Sequence, residues 1–314
     1  MAADGNNIVR YIYRGEEDER IPVEATHITV GEGVTFVRAH AFRGHQNIIE
    51  VICHDGVETI EERAFDSCPS LRRVIMTGVK EIEKRAFHFC EVLTNVECDK
   101  LEVIGEETFS SCFDLGNIDL PSATIVEYGA FTFTFLTDVK FSSRLERIGG
   151  AAFGHCSFER ITLPLKDGMI TANDIFTGCF ELKHLDLIEG AILNDTIAAL
   201  LFEEWKNDMN EEIDSINQIL PNLRAGDIKY GGGEKTWVIR MWMRSVLGKI
   251  VHYKAEHQRI LDEAATTLHH VLPNDIVLDS ILSFLELPSY TFEGEEEEEG
   301  SDGESDDEED MEEE

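Results

Sequence analysis

Basic residues are scarce in this chain. Lys and Arg number 27 in 314 residues against 63 Asp and Glu, a formal net charge of −36. A field of that sign repels phosphate backbones and anionic lipid headgroups, so neither nucleic acid nor a membrane surface is an expected partner, whereas a basic protein is. No apolar run approaches the ~18 residues of a membrane-spanning helix. Met1–Asn7 has neither a basic n-region nor an apolar core, so secretion is not expected and a cytoplasmic or nuclear address is. The seven cysteines form no CxxC pair, which fits reduced thiols better than a disulfide framework or a compact zinc site. No Ser/His/Asp or Cys/His set with a catalytic signature is present. His252, His257, His269 and His270 lack the spacing of a zinc protease, and Gly231-Gly-Gly-Glu-Lys-Thr236 lacks the Gly-Lys-Thr adjacency of a phosphate loop. The expectation is a non-enzymatic protein without cofactor or metal.

A repeat is what the sequence does contain. Ala-Phe followed by Cys three residues later recurs, with anchors at Phe42, Phe65, Phe87, Phe109, Phe131, Phe153 and Phe176, spaced 23, 22, 22, 22, 22 and 23 residues apart. A fixed period of this size marks a solenoid in which each coil buries its apolar face only against its neighbours. Five residues before each of the first six anchors stands an aliphatic: Val37, Ile60, Ile82, Ile104, Val126, Ile148. Some six residues after them come Ile48, Leu71, Leu93, Leu115, Leu136, Phe158 and Leu182. Short alternating segments follow: Glu50–Cys53, Arg73–Met76, Asn95–Cys98, Asn117–Leu120, Asp138–Phe141, Arg160–Leu163 and His184–Leu187. Their second and fourth residues are apolar throughout, the period-2 pattern of strands with one buried face. Stacked coils place them in parallel about 4.8 Å apart.

Strand, aliphatic and Ala-Phe-x-x-Cys in one unit resemble the BspA-type (Treponema pallidum type) leucine-rich repeat. Ile60-Glu-Glu-Arg-Ala-Phe-Asp-Ser-Cys-Pro-Ser-Leu71 and Ile82-Glu-Lys-Arg-Ala-Phe-His-Phe-Cys90 carry the likeness, which extends over about 21–189. The resemblance implies an α/β repeat solenoid with a parallel sheet on one face. Bacterial members are often surface adhesins, a role that the missing leader argues against here. The seventh coil departs from the pattern, with Ile175-Phe176 in place of Ala-Phe and an irregular Lys166–Ile170, and reads as the closing coil. The resulting division is 1–26 cap strands, 27–190 repeats, 191–290 a helical region and 291–314 a disordered acidic tail.

Ile197, Leu201, Trp205, Met209, Ile213, Ile216 and Leu220 have helical spacing, with Asn194 or Asp195 as N-cap and Pro221 as stop. A Gly-rich loop over 222–233 leads to a second long helix from Glu234 to about Val271. Its seam is Ile239, Met243, Val246, Ile250, Tyr253, His257, Ile260, Ala264, Leu268 and Val271, which suits an antiparallel hairpin. Acids on the first helix are expected to face Arg240, Arg244, Lys249, Lys254 and Arg259 on the second. Leu272–Leu285 is similar to the opening of an F-box, but the chain turns acidic before the rest of that motif could follow, and a third packed helix is the expected reading. Sixteen acids lie between Glu293 and Glu314, a composition that cannot order itself. Ser301 and Ser305, each followed by an acid three residues on, are phosphorylation candidates.

Repeat solenoids bind through their sheets. The outward positions form two ladders. One is Glu50, Arg73, Asn95, Asn117, Asp138, Arg160 and His184; the other is Ile52, Ile75, Glu97, Asp119, Lys140, Thr162 and Asp186. Ile52 and Ile75 are adjacent where polar residues are the norm, a sign of contact. The leading expectation is a scaffold that binds an unknown protein through this face. The rivals are an acidic chaperone of histones or other basic proteins acting through the tail, and a ubiquitin-ligase adaptor. Oligomeric state is not legible in the sequence.

Overall fold

In the computed structural model, which describes residues 8–188, 202–227 and 231–269, the alternating segments pair in parallel and in register from coil to coil. Arg10–Tyr13, His27–Val30, Glu50–Ile52, Arg73–Ile75 and Asn95–Glu97 form one five-stranded sheet. Asn117–Leu120 then pairs with Asp138–Phe141, and Arg160–Leu163 with His184–Leu187. The first strand lies at the edge of this sheet, where Arg10 pairs with His27 and Tyr13 with Val30.

A second parallel sheet of six two-residue strands runs along another side of the coil: Phe36–Val37, Thr59–Ile60, Glu81–Ile82, Val103–Ile104, Ile125–Val126 and Arg147–Ile148. Its second residues are the aliphatics five before each Phe, all fully buried. The third side is the Phe turn. The anchoring rings stack almost parallel, with centroids 4.8 Å apart at Phe42–Phe65, widening to 5.9 Å at Phe153–Phe176. Tyr13 closes the N-terminal end of the stack, 5.0 Å from Phe42, and its hydroxyl accepts the Arg38 amide at 3.2 Å.

Backbone bonds also join successive turns. The Phe65 amide donates to the Ala86 carbonyl at 2.8 Å and that of Phe109 to Ala130 at 2.8 Å. To expose these amides, residues two before and two after the Phe turn left-handed. Ten non-glycine residues do so, among them Arg63, Arg85, Glu107 and Ser111, each at a cost of about 1–2 kcal/mol. Ser111→Gly should therefore stabilise the fold by about 0.5–1 kcal/mol, the relieved strain less glycine's extra chain entropy. A higher denaturant midpoint at unchanged slope is the expected readout; an unchanged or lower midpoint would refute it.

The seventh coil does close the array: the second sheet ends at an isolated bridge between Ile148 and Ile170. Two helices follow, α1 over Phe202–Ile219 and α2 over Glu234–His269. They run antiparallel: Trp205 packs edge-on against Tyr253 at 5.5 Å, while nearer the other end of α1 the Trp242 indole donates to the Glu212 carbonyl at 3.0 Å. The expected charge pairing holds only in part. Lys249 meets Glu212 at 2.8 Å, but Arg244 turns to Asp167 on the solenoid, and Arg259 pairs with Glu256 and Glu263 of its own helix. The α2 seam is buried through His257 except at the half-buried Tyr253; beyond Ile260 the helix drifts off the heptad, so Leu261 is buried and Ala264 exposed. The N-cap at 194–195, the F-box-like segment 272–285, the acidic tail, Ser301 and Ser305 lie outside the described residues.

The hairpin docks on the last coil by continuing its ladders. Phe176 and Gly178, which have no further coil to donate to, give their amides to the Thr236 hydroxyl and the Ala225 carbonyl, each at 3.0 Å. Lys235, only 1% exposed, donates to the carbonyls of Cys179, Phe180 and Leu182 at 3.1, 3.2 and 2.6 Å. Asn217 on α1 satisfies both the amide and the carbonyl of Leu185 on the last strand. An open sheet edge, which would otherwise recruit another chain, is thus covered.

Candidate binding face

Register places the two outward ladders as the repeat requires. Glu50 lies beside Arg73 and Ile52 beside Ile75; Arg73 in turn meets Asn95, and Ile75 meets Glu97. Asn117 and Asp119 meet Asp138 and Lys140, while Arg160 and Thr162 meet His184 and Asp186. Hydrogen bonding breaks between these three groups, so the seven strands of the candidate face do not form one continuous ladder. Because Val51, Val74, Ile118, Val139, Ile161 and Leu185 point inward and are buried, their neighbours along each strand must point out.

Exposure departs from expectation in half of the positions. Arg73, Asn95, Asn117, Asp119, Asp138, Lys140 and Arg160 are exposed, but Glu50, Ile52, Ile75, Glu97, Thr162, His184 and Asp186 are half-buried. Long side chains leaning across neighbouring strands contribute to this. Arg73 reaches Glu50 at 3.3 Å and Glu97 at 2.9 Å, Lys140 reaches Asp119 at 3.6 Å and Asp138 at 3.8 Å, and Arg160 bonds Asp186. The fourteen residues carry five acids and three bases, largely paired with one another. The face is thus close to neutral on a chain of charge −36.

One part of the site was missed from the sequence. Ile12 pairs with Thr29, and Thr29 with Ile52, so the apolar patch extends two strands further toward the N-terminus, and Ile12 is 57% exposed. The alternation in 8–13 indicates a strand, but nothing in it sets the register, because this coil has no Phe anchor.

The cysteine column is occupied with backbone. Cys68, Cys90, Cys112, Cys156 and Cys179 each donate a thiol hydrogen to the carbonyl of a Phe in the preceding coil, at 2.9–3.2 Å. Burial pushes the Cys53, Cys98 and Cys179 thiols up to about 12, so they stay protonated and are poor nucleophiles. All seven are free and buried. Among the described residues no group of three or more His, Cys, Asp or Glu is placed to hold a metal ion, and no helix is long and apolar enough to cross a membrane.

Stacked parallel strands at a period near 22 residues, with an apolar column at every turn, define a leucine-rich-repeat solenoid. The description "BspA type Leucine rich repeat region" matches six copies over residues 23–132 and 124–207. The chain belongs to that family. Among solved structures it is similar to a leucine-rich cell surface protein from Faecalibacterium prausnitzii, at 24% identity over 57% of this chain and 47% of that one, with a TM-score of 0.43. The T. pallidum leucine-rich repeat protein is 26% identical over 57% of this chain and 69% of that chain, with a TM-score of 0.36. A leucine-rich repeat protein from Bacteroides ovatus is 21% identical over 52% and 55%, also at 0.36. The chain thus spans about half the length of the first and third of these. No curated protein matches it.

Proposed function

We propose that the chain is a non-enzymatic protein-interaction scaffold that binds its partner on the face of the five-stranded sheet. The observation that carries this reading is the in-register patch of Ile12, Thr29, Ile52 and Ile75, bordered by the Arg73–Glu50–Glu97 ion pairs. Outward isoleucines on adjacent strands add nothing to the core and are costly to leave in water, whereas a partner covering them gains about 25 cal/mol per Å² of apolar surface. Near-neutrality of the face favours a partner chosen by shape and apolar contact over one chosen by charge. The buried, unpaired thiols support a reducing compartment, cytoplasmic or nuclear.

Affinity capture with the intact chain and with Ile52→Glu/Ile75→Glu tests this reading. Two buried-on-binding apolar contacts become charges, so capture of the specific partner should fall at least tenfold, as expected for centrally placed contacts worth about 2 kcal/mol. Undiminished capture by the double variant would sink the reading.

A second reading rests on the sixteen acids of 293–314, which favour a chaperone of basic proteins. Partners lost on deletion of 293–314 and released by moderate salt would establish it. Retention of the partner by the tail-deleted chain supports the scaffold.

A further inference from the structure

The outer turn edge changes character along the array. In the first four coils polar groups lace it around one exposed ring, Phe89, which packs edge-on against His88: Arg43 and His88 meet the buried Asp66 at 3.2 and 3.0 Å, and Lys84 meets Glu106 at 2.7 Å. From the fourth to the sixth coil, rings take over. Phe113 lies 6.5 Å from Phe135 of the next coil, and Phe133 stacks on His155 of the coil after at 4.5 Å and 9°. Tyr128, Phe133 and Phe135 remain 45%, 44% and 59% exposed. Phe133 is also left-handed, at φ 59°, a conformation rare for bulky residues. The left-handed backbone belongs to this turn position, where the Phe133 amide donates to the Gly154 carbonyl, but the solvent-facing ring it carries adds nothing to the core.

We propose that this edge is a second docking site, fitted to a protein segment that presents an apolar side chain flanked by lysine or arginine. Its apolar part is the two ring pairs Phe113–Phe135 and Phe133–His155. Its charge preference follows from the surroundings. No Lys or Arg occurs between Lys100 and Lys140, while Glu102, Glu106, Glu107, Asp114, Asp119, Glu127 and Asp138 do. Glu106, Glu107 and Glu127 of this stretch are paired with Lys84, Arg85 and Arg147 of neighbouring coils, which leaves the carboxylates beside the rings themselves to set the preference. Asp114, next to Phe113, and Glu91, one coil earlier in the same column, are exposed. Cations arriving there meet both carboxylates and the negative ring faces. A second copy of the chain is disfavoured as occupant, because each copy brings a charge of −36.

The test uses the full-length protein and two labelled peptides followed by fluorescence anisotropy: alternating leucine and lysine, and oligolysine of equal charge. The tail and other acids attract both, so only the difference reports the rings. The parent chain should hold the leucine–lysine peptide about tenfold more tightly than oligolysine. Phe133→Ser/Phe135→Ser should abolish that advantage and leave oligolysine binding unchanged. Ile52→Glu/Ile75→Glu should preserve it, which separates this site from the sheet face. A photoactivatable leucine in the peptide should cross-link the unaltered chain within 113–155, a readout independent of how the variant folds. Equal binding of the two peptides by the parent, or cross-links confined to other residues, would overturn the proposal. A dimer in sedimentation that the double substitution dissolves would overturn it in favour of self-association.

Discussion

Phe109→Ala should lower the unfolding free energy by about 3–5 kcal/mol, the usual loss for a large aromatic removed from a tight core. The ring is fully buried and stacked between Phe87 and Phe131, 5.4 Å from each. Nothing nearby can collapse into the gap, because each neighbouring ring is held by its own coil and by backbone bonds such as Phe87 to Thr108 and Phe109 to Ala130. The solenoid is also quasi-one-dimensional, so stability passes through each interface in turn. A weakened fourth coil should let the two halves of the array unfold separately. A guanidinium titration should therefore show an earlier midpoint and a broadened or split transition. A loss below about 1 kcal/mol with an unchanged slope would mean that the rings contribute far less than their burial implies.

The second large effect is expected at Lys235. Lys235→Met keeps an unbranched apolar stem but orphans the carbonyls of Cys179, Phe180 and Leu182. Each unsatisfied buried carbonyl costs about 1–3 kcal/mol, offset in part by relief from desolvating an ammonium, so a net loss of about 2–3 kcal/mol is expected. That desolvation already shows in the native protein, where burial holds the Lys235 pKa below its ordinary value. The unfolded chain thus binds this proton more tightly than the folded one. Its contribution to stability therefore rises with pH from the lowered folded value up to about 10.4, the ordinary lysine pKa. Lys235→Met should remove that increment. Denaturant midpoints of the parent and variant across alkaline pH check both parts; identical pH profiles would refute the linkage.

Much of this architecture is legible in the sequence because the period does the alignment. Once Phe42 and Phe65 are superposed, Ile52 must lie beside Ile75, and the structure places it there. What escapes is what no local pattern encodes. Strands of two residues, such as Thr59–Ile60, are too short to show alternation. Left-handed backbone at Arg63 or Glu107 has no signature in residue type, since the bonds between coils impose it. Lys235 reads as one more charge beyond a glycine run, and only the last coil's carbonyls explain its burial. Likewise Phe-Thr-Phe-Thr-Phe over 131–135 looks like a strand with one buried face, yet Phe131 is the one ring of the three that is buried, with both threonines. The turn reverses which side faces the core. Side-chain reach accounts for the remaining discrepancy, as at Arg73, which bridges Glu50 and Glu97.

Apart from the Arg244–Asp167 ion pair, the bonds with which the hairpin closes the solenoid among the described residues reach main-chain atoms: the amides of Phe176 and Gly178, the carbonyls of Cys179, Phe180 and Leu182, and both groups of Leu185. Such a closure is indifferent to the outward residues of the coil beneath it. Array length and partner preference can therefore drift independently of the terminus. A duplication or loss of one 22-residue period upstream leaves every atom of the joint in place, so gene-level slippage in this repeat yields longer or shorter proteins that remain properly finished at their C-terminal end.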